Sequence, residues 1–188
     1  MFGSLMVRFQ AYMINALGEE EWKDLLRQAG QPEDKVYRSI KFYSDDEFDK
    51  LVEIACGKIS IDKDVLYKKL GLDFGRYLLK TYKVMFFPSW RALDVIEKAA
   101  PKVFKSIQYI DAHAPKSSVV CERVSPEEVI VHYQSERKMC PYILGIIDAM
   151  GEYFNEKLEV SHTRCQRYKG SECEIHVKLI RSNQLTSV

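Results

Sequence analysis

The chain has 188 residues, 46% of them apolar, and 28 basic against 27 acidic side chains leave a net charge of +1. That size suits one domain with a core of its own, and the even charge gives no electrostatic reason to expect nucleic acid or an anionic membrane as partner. The start, Met1 to Arg8, meets charge too early for a secretory leader, no apolar run is long enough for a transmembrane helix, and five cysteines in a chain that does not need disulfides point to reduced thiols and a cytoplasmic location.

In chain order, residues 4–17 carry Leu5, Phe9, Tyr12, Met13 and Leu17 at helical spacing, and Gly18 can end that helix. A second helix over 19–29 places Trp22, Leu25 and Leu26 on one face before Gly30. Ser44-Asp45-Asp46-Glu47 reads as a capping box ahead of Phe48, Leu51, Val52 and Ile54. A short helix over 62–70 should stop at Gly71, with further helices over 73–85 and 89–99, and Pro101 suits the first turn of one running to about 112. The period then changes. Residues 119–123 and 128–137 alternate as strands, Pro141 opens an amphipathic helix reaching 158, and 159–165 and 173–180 form a hairpin turning at Lys169-Gly170-Ser171. Helices followed by a mostly antiparallel sheet crossed by one helix make an α+β layout.

Tyr133, Ser135 and Arg137 stand two apart on the predicted strand, so all three share one face with Val129 and Val131. An apolar surface ending in two hydroxyls and a guanidinium suits carboxylates. Such a short pattern also fits an ordinary strand with a polar end.

In this position, Tyr133-x-Ser135-x-Arg137 resembles the motif with which the heme–nitric oxide/oxygen binding (H-NOX) family grips heme propionates. The likeness runs over 1–180 and includes Gly3, the paired helices before residue 60, Phe87-Pro88-Ser89, and Arg137-Lys138-Met139 followed by Leu144-Gly145. It implies a single sensor domain over 1–180 with a flexible tail over 181–188, heme b as cofactor, and a pocket including Leu5, Phe9, Phe104, Pro115 and Tyr142. Tyr142 falls where oxygen-holding members place a tyrosine that donates to the bound gas; a core aromatic on a helix face is the other reading.

One departure concerns the iron. The family's axial histidine lies on the helix before the sheet, here 101–112, and ungapped counting back from Tyr133 puts Phe104 at that position. No histidine occurs between 101 and 112. His113 is the nearest candidate for axial ligand, reaching the iron if the loop differs in length and otherwise a surface histidine. Without an imidazole the pocket would be empty, hold heme weakly, or take another amphipathic carboxylate.

Cys140, His162, Cys165 and Cys173 offer three thiolates and an imidazole, a closed set for tetrahedral zinc. Buried cysteines also serve as plain apolar residues, the expectation for Cys56 and Cys121. The resemblance strengthens the metal reading, because a zinc-containing subset of H-NOX proteins is similar at all four positions and signals through thiol oxidation there. His176 is a possible substitute ligand, three residues after Cys173.

The expected function is a sensory domain, reading NO or oxygen through heme, redox state through the zinc–cysteine site, or both. By resemblance it signals in trans to a partner such as a histidine kinase or a cyclic-dinucleotide enzyme. The alternatives are a heme-free redox switch and a carrier of heme or another amphipathic carboxylate. Catalysis is not expected: there is no P-loop, no Gly-x-Ser-x-Gly and no His-Glu-x-x-His, and four protein ligands leave zinc no open position.

Overall fold

Apolar spacing in the first seventy residues produces the helices it implies. A computed structural model describes residues 1–103, 105 and 117–180, and divides the chain into two units, Met1–Leu70 and Gly71–Val188. In the first unit, α1 (Gly3–Leu17) buries Leu5, Met6, Phe9 and Met13 and stops at Gly18, whose φ of 94° lies in the left-handed region. Helix α2 (Glu19–Gln28) opens on three glutamates, which suit the positive end of its dipole, and buries Trp22, Leu25 and Leu26. Helix α3 (Asp45–Ile59) buries Phe48, Leu51, Val52 and Ala55. Phe9 is the centre of this core, edge-on to Trp22 and to Phe48.

The expected capping box at Ser44 does not form, since Ser44 makes no side-chain cap. Glu47 is drawn away instead, accepting hydrogen bonds from Lys35 Nζ at 2.6 Å and from the Tyr37 hydroxyl at 2.5 Å. Asp45 bonds the N-terminal ammonium at 2.6 Å.

The predicted break at Gly71 is also absent: α4 runs without interruption over Lys63–Tyr82, and the boundary between the units falls within it. Gly71 serves close approach rather than termination. A Cβ there would lie 2.0 Å from the Tyr142 carbonyl oxygen, and one at Gly75 would lie 2.6 Å from the Ala149 Cβ. A 3-10 turn over Lys83–Met85 follows, then α5 (Ala92–Lys98), shorter than the expected 89–99. Residues 100–103 and 105 are helical, as Pro101 suggested.

The sheet of the second unit is antiparallel, in the order β1-β2-β4-β3. Its strands are β1 (Ser117–Ser125), β2 (Glu128–Ser135), β3 (Leu158–Arg164) and β4 (Cys173–Leu179). Helix α6 (Cys140–Phe154) connects β2 to β3, with β4 lying between those two strands. It ends four residues before the expected 158, because Asn155 takes a left-handed φ of 50° and releases the chain into β3. Alternation holds on β2: Val129, Val131, Tyr133 and Ser135 are buried, and on β4 so are Cys173, Ile175 and Val177. Arg123 of β1 ties the sheet to α5 through Asp94 at 3.1 Å and Glu97 at 2.9 Å. Among the described residues no helix is long and apolar enough to cross a membrane.

Candidate metal and carboxylate-binding site

Strand register explains how residues far apart in the chain meet. Directly opposed residues in an antiparallel pair share a face. His162 of β3 stands opposite Ile175 of β4, which is wholly buried, so His162 takes the inner face. Cys173, two residues before Ile175, is on that face as well. Cys165 lies just past the end of β3 rather than on the strand, and Cys140 is the first residue of α6. The ligand atoms of Cys140, His162, Cys165 and Cys173 all lie within 4.8 Å of one another, the only such set among the described residues.

The loop that delivers Cys165 is a tight knuckle. The Cys165 carbonyl accepts from the N–H groups of Tyr168 at 3.0 Å and Gly170 at 3.2 Å. Lys169 takes a φ of 73°, and a Cβ on Gly170 would sit 2.9 Å from that same carbonyl oxygen. The turn expected at Gly170 therefore brings Cys165 beside Cys173.

Sulfur spacing suits a tetrahedral metal ion. Cys165 Sγ lies 3.7 Å from Cys140 Sγ and 3.9 Å from Cys173 Sγ. A tetrahedron with Zn–S bonds of about 2.3 Å has edges of about 3.8 Å. His162 Nε2 is buried without a hydrogen-bond partner, the state of an atom shaped to hold a metal. Burial pushes the Cys140 thiol up to about 12, helped by the neighbouring sulfurs, and raises Cys173 as well. Burial lowers His162, keeping its imidazole neutral and able to coordinate. A divalent cation would supply the positive charge these thiols need in order to ionise.

His176 does not join the cluster. One residue beyond Ile175, it takes the opposite sheet face, with Nδ1 2.9 Å from Glu128 and Nε2 3.2 Å from Glu174. The hydrogen bond to Glu128 raises its pKa above the ordinary 6.5, and both glutamates are lowered below their ordinary 4.5. The histidine's contribution is full below its ordinary value and fades as pH rises through the raised one. The glutamates' contribution is present above their ordinary value and fades as pH falls through the lowered ones. The network should therefore be strongest between about 4.5 and 6.5. In an NMR titration His176 should titrate above an ordinary histidine, and Glu128→Gln should bring it down; an unmoved midpoint would refute the pairing.

The candidate trio Tyr133, Ser135 and Arg137 is built differently from its sequence reading. Strand β2 ends at Ser135, so Arg137 sits in the following turn and not on the strand. Ser135 Oγ accepts the Arg137 backbone N–H at 3.3 Å, which folds that turn back towards the strand end. Tyr133 is buried and pushed up to about 12 by burial, with Ser135 and Arg137 acting to lower it and Cys140 and Cys173 to raise it. Tyr133 also stands directly opposite Cys173 in the sheet, so the trio and the sulfur cluster adjoin.

Of the other candidates, Tyr142 is buried in the first turn of α6, its ring 5.9 Å from that of Phe74. Leu5 and Phe9 are buried on α1. Phe104, His113 and Pro115 lie outside the described residues, as do most of the expected 101–112 helix and the 181–188 tail. His132 faces away from Tyr133 and contacts Glu172 at 3.3 Å. Cys121 is half-buried, with its thiol pushed up to about 12 by burial.

Gln166 escaped the sequence reading, since a polar residue after a cysteine looks like surface loop. It is only 8% exposed. Its Oε1 accepts the Ser135 backbone N–H at 3.1 Å, its own backbone N–H acts to lower the raised Cys173 thiol, and its Nε2 is buried with no partner.

Comparison with known proteins bears on the family and the fold. A sequence model described as haem-NO-binding matches residues 2–162. No curated protein matches the chain. Among solved structures, an H-NOX protein from S. oneidensis in the Fe(II)NO ligation state is similar with a TM-score of 0.84 at 17% identity, covering 96% of this chain and all of that one. An oxygen-binding H-NOX domain related to soluble guanylate cyclases, in its oxygen complex, is similar with a TM-score of 0.78 at 19% identity, covering 96% of each chain.

Proposed function

Because this chain belongs to the haem-NO-binding family, we propose that it is a sensory domain that holds heme by its propionates at Tyr133, Ser135 and Arg137 and a structural zinc at Cys140, His162, Cys165 and Cys173. The observation that carries the heme reading is the buried polar end of β2, where the side chains of Tyr133 and Ser135, the nearby Arg137 and the unpartnered Gln166 Nε2 gather beside an apolar strand face. This donor set fits an amphipathic carboxylate. Heme iron, when bound, supplies affinity for NO or oxygen. The chain's own residues orient the propionates, and Tyr142 stands on α6 as the candidate donor to a bound gas. Output passes to a signalling protein in trans, such as a histidine kinase or a cyclic-dinucleotide enzyme.

The test is the absorption spectrum of protein loaded with hemin, before and after reduction and NO addition. A Soret band that shifts with NO supports gas sensing. Arg137→Ala should weaken hemin binding roughly ten-fold or more, the scale of a charge-assisted hydrogen bond. A folded, zinc-loaded protein that binds no hemin would overturn the heme reading.

A second reading follows from the sequence between 101 and 112, which holds no histidine, and from the sulfur cluster. Two zinc thiolates can be oxidised by peroxide to a disulfide, their two electrons reducing the peroxide with two protons to two waters, and zinc is released. This redox switch needs no iron. Peroxide should release zinc and change affinity for a partner; zinc release without any change in partner binding would sink the switch.

A further inference from the structure

Gln166 lies between the two halves of the site and faces each through one of its atoms. Its backbone N–H faces the sulfur of Cys173, a member of the metal cluster, and acts to lower that thiol. Its Oε1 takes the backbone N–H of Ser135, in the middle of the carboxylate-binding trio. That bond also settles which amide atom is which, because a donating N–H requires an oxygen partner. The remaining atom, Nε2, carries two donor hydrogens and is buried with no partner. Amide O and N are about 2.2 Å apart, so Nε2 lies within roughly 5 Å of the Ser135 nitrogen. An unsatisfied donor this well buried is costly, and native proteins keep few of them without a use.

We infer that Gln166 is a carboxylate-binding residue: its Nε2 donates to the same carboxylate that Tyr133, Ser135 and Arg137 hold, and the metal loop keeps it in place. The inference rests on the carboxylate reading of that trio. Cys165, the residue before Gln166, is held by the cluster, and Cys173 anchors the Gln166 backbone. Metal occupancy thereby fixes the angle at which the amide faces the ligand. When the metal leaves, the Cys165 loop loosens and the amide loses its aim, while Tyr133, Ser135 and Cys173 stay on their strands. The zinc cluster so acts on ligand affinity through one side chain.

The experiment titrates zinc-loaded protein with protoporphyrin IX, which has both propionates and no iron, and with its dimethyl ester, following fluorescence at pH 8. Leaving out iron makes the result independent of any axial ligand. Gln166→Glu keeps an acceptor for the Ser135 N–H but replaces the Nε2 donor with a carboxylate oxygen. It should bind the free acid roughly ten- to hundred-fold more weakly, with ester affinity and zinc content unchanged. Should that variant fail to fold, Gln166→Met removes the donor without adding charge and should show the same acid-selective loss. Chelating zinc from the wild-type chain should produce an acid-selective loss as well. Equal losses for acid and ester, or no loss, would overturn the role of Gln166. Undiminished acid affinity in zinc-free protein would overturn the role of the metal loop. Failure of the wild-type protein to bind the free acid would overturn the inference together with the carboxylate reading beneath it.

Discussion

Cys173→Ser should strip the protein of zinc under mild chelation while leaving it folded. Structural zinc sites bind with roughly 10–16 kcal/mol, so an equal share for each of four ligands is about 2.5–4 kcal/mol, a loss of roughly 70- to 900-fold. Serine keeps the shape at this fully buried position, and its hydroxyl can still accept the Gln166 N–H. Metal analysis after dialysis against a chelator is the check, and stoichiometric zinc retained by the variant would remove Cys173 from the ligand set. The wild-type protein offers a companion measurement. Cys140 and Cys173 both have raised pKa values and are protonated at pH 7 in the metal-free chain, whereas the lowered His162 is neutral. Zinc binding should then release one proton from each of those two thiols and none from the imidazole. Calorimetry in buffers of different ionisation enthalpy reads this directly, and zinc binding without proton release would contradict thiolate coordination.

The second large effect concerns a residue far from any chemistry. Gly71→Ala should destabilise the second unit even though alanine favours a helix over glycine by about 1 kcal/mol. The added Cβ would meet the Tyr142 backbone oxygen at 2.0 Å and its carbonyl carbon at 2.8 Å. Backbone cannot rotate aside as a side chain can, so α4 and α6 would have to separate. Overpacking of this kind costs about 1–3 kcal/mol and sometimes more, and at this distance the upper end applies. A net loss near 2 kcal/mol corresponds to a fall of roughly 4–8 °C in Tm for a protein of this length. The bidentate pair between Arg76 and Glu152, at 2.8 and 3.0 Å, joins the same two helices but is solvent-exposed and too weak to offset such a loss. Thermal unfolding of the variant decides the matter: an unchanged or higher Tm would mean that the helices tolerate separation. Because Tyr142 is the residue displaced, the variant also alters the pocket candidate on α6.

The sequence alone carried whatever depends on local period and residue type. Helical spacing identified α1, α2 and α3, and alternation identified β2 with Val129, Val131 and Tyr133 turned inward. The four metal-ligand candidates were legible because cysteine and histidine are few and their chemistry is distinctive. Contacts between distant segments were a different matter. Gly71 looks like a helix stop until α6 is seen lying against it. Ser44 and Glu47 look like a capping box until Lys35 and Tyr37 are found to claim the glutamate. Arg137 looks like a strand residue until Ser135 ends β2 and starts a turn. The choice of His162 over His176 and the pairing of Tyr133 with Cys173 both hang on cross-strand register, where a slip of one residue reverses every face. Gln166 is the extreme case: nothing in its neighbours along the chain marks it, and only folding brings its polar groups between the thiol cluster and the polar end of β2. Period is a property of one segment, whereas register and close approach belong to pairs of segments, and for those pairs the tertiary structure was decisive.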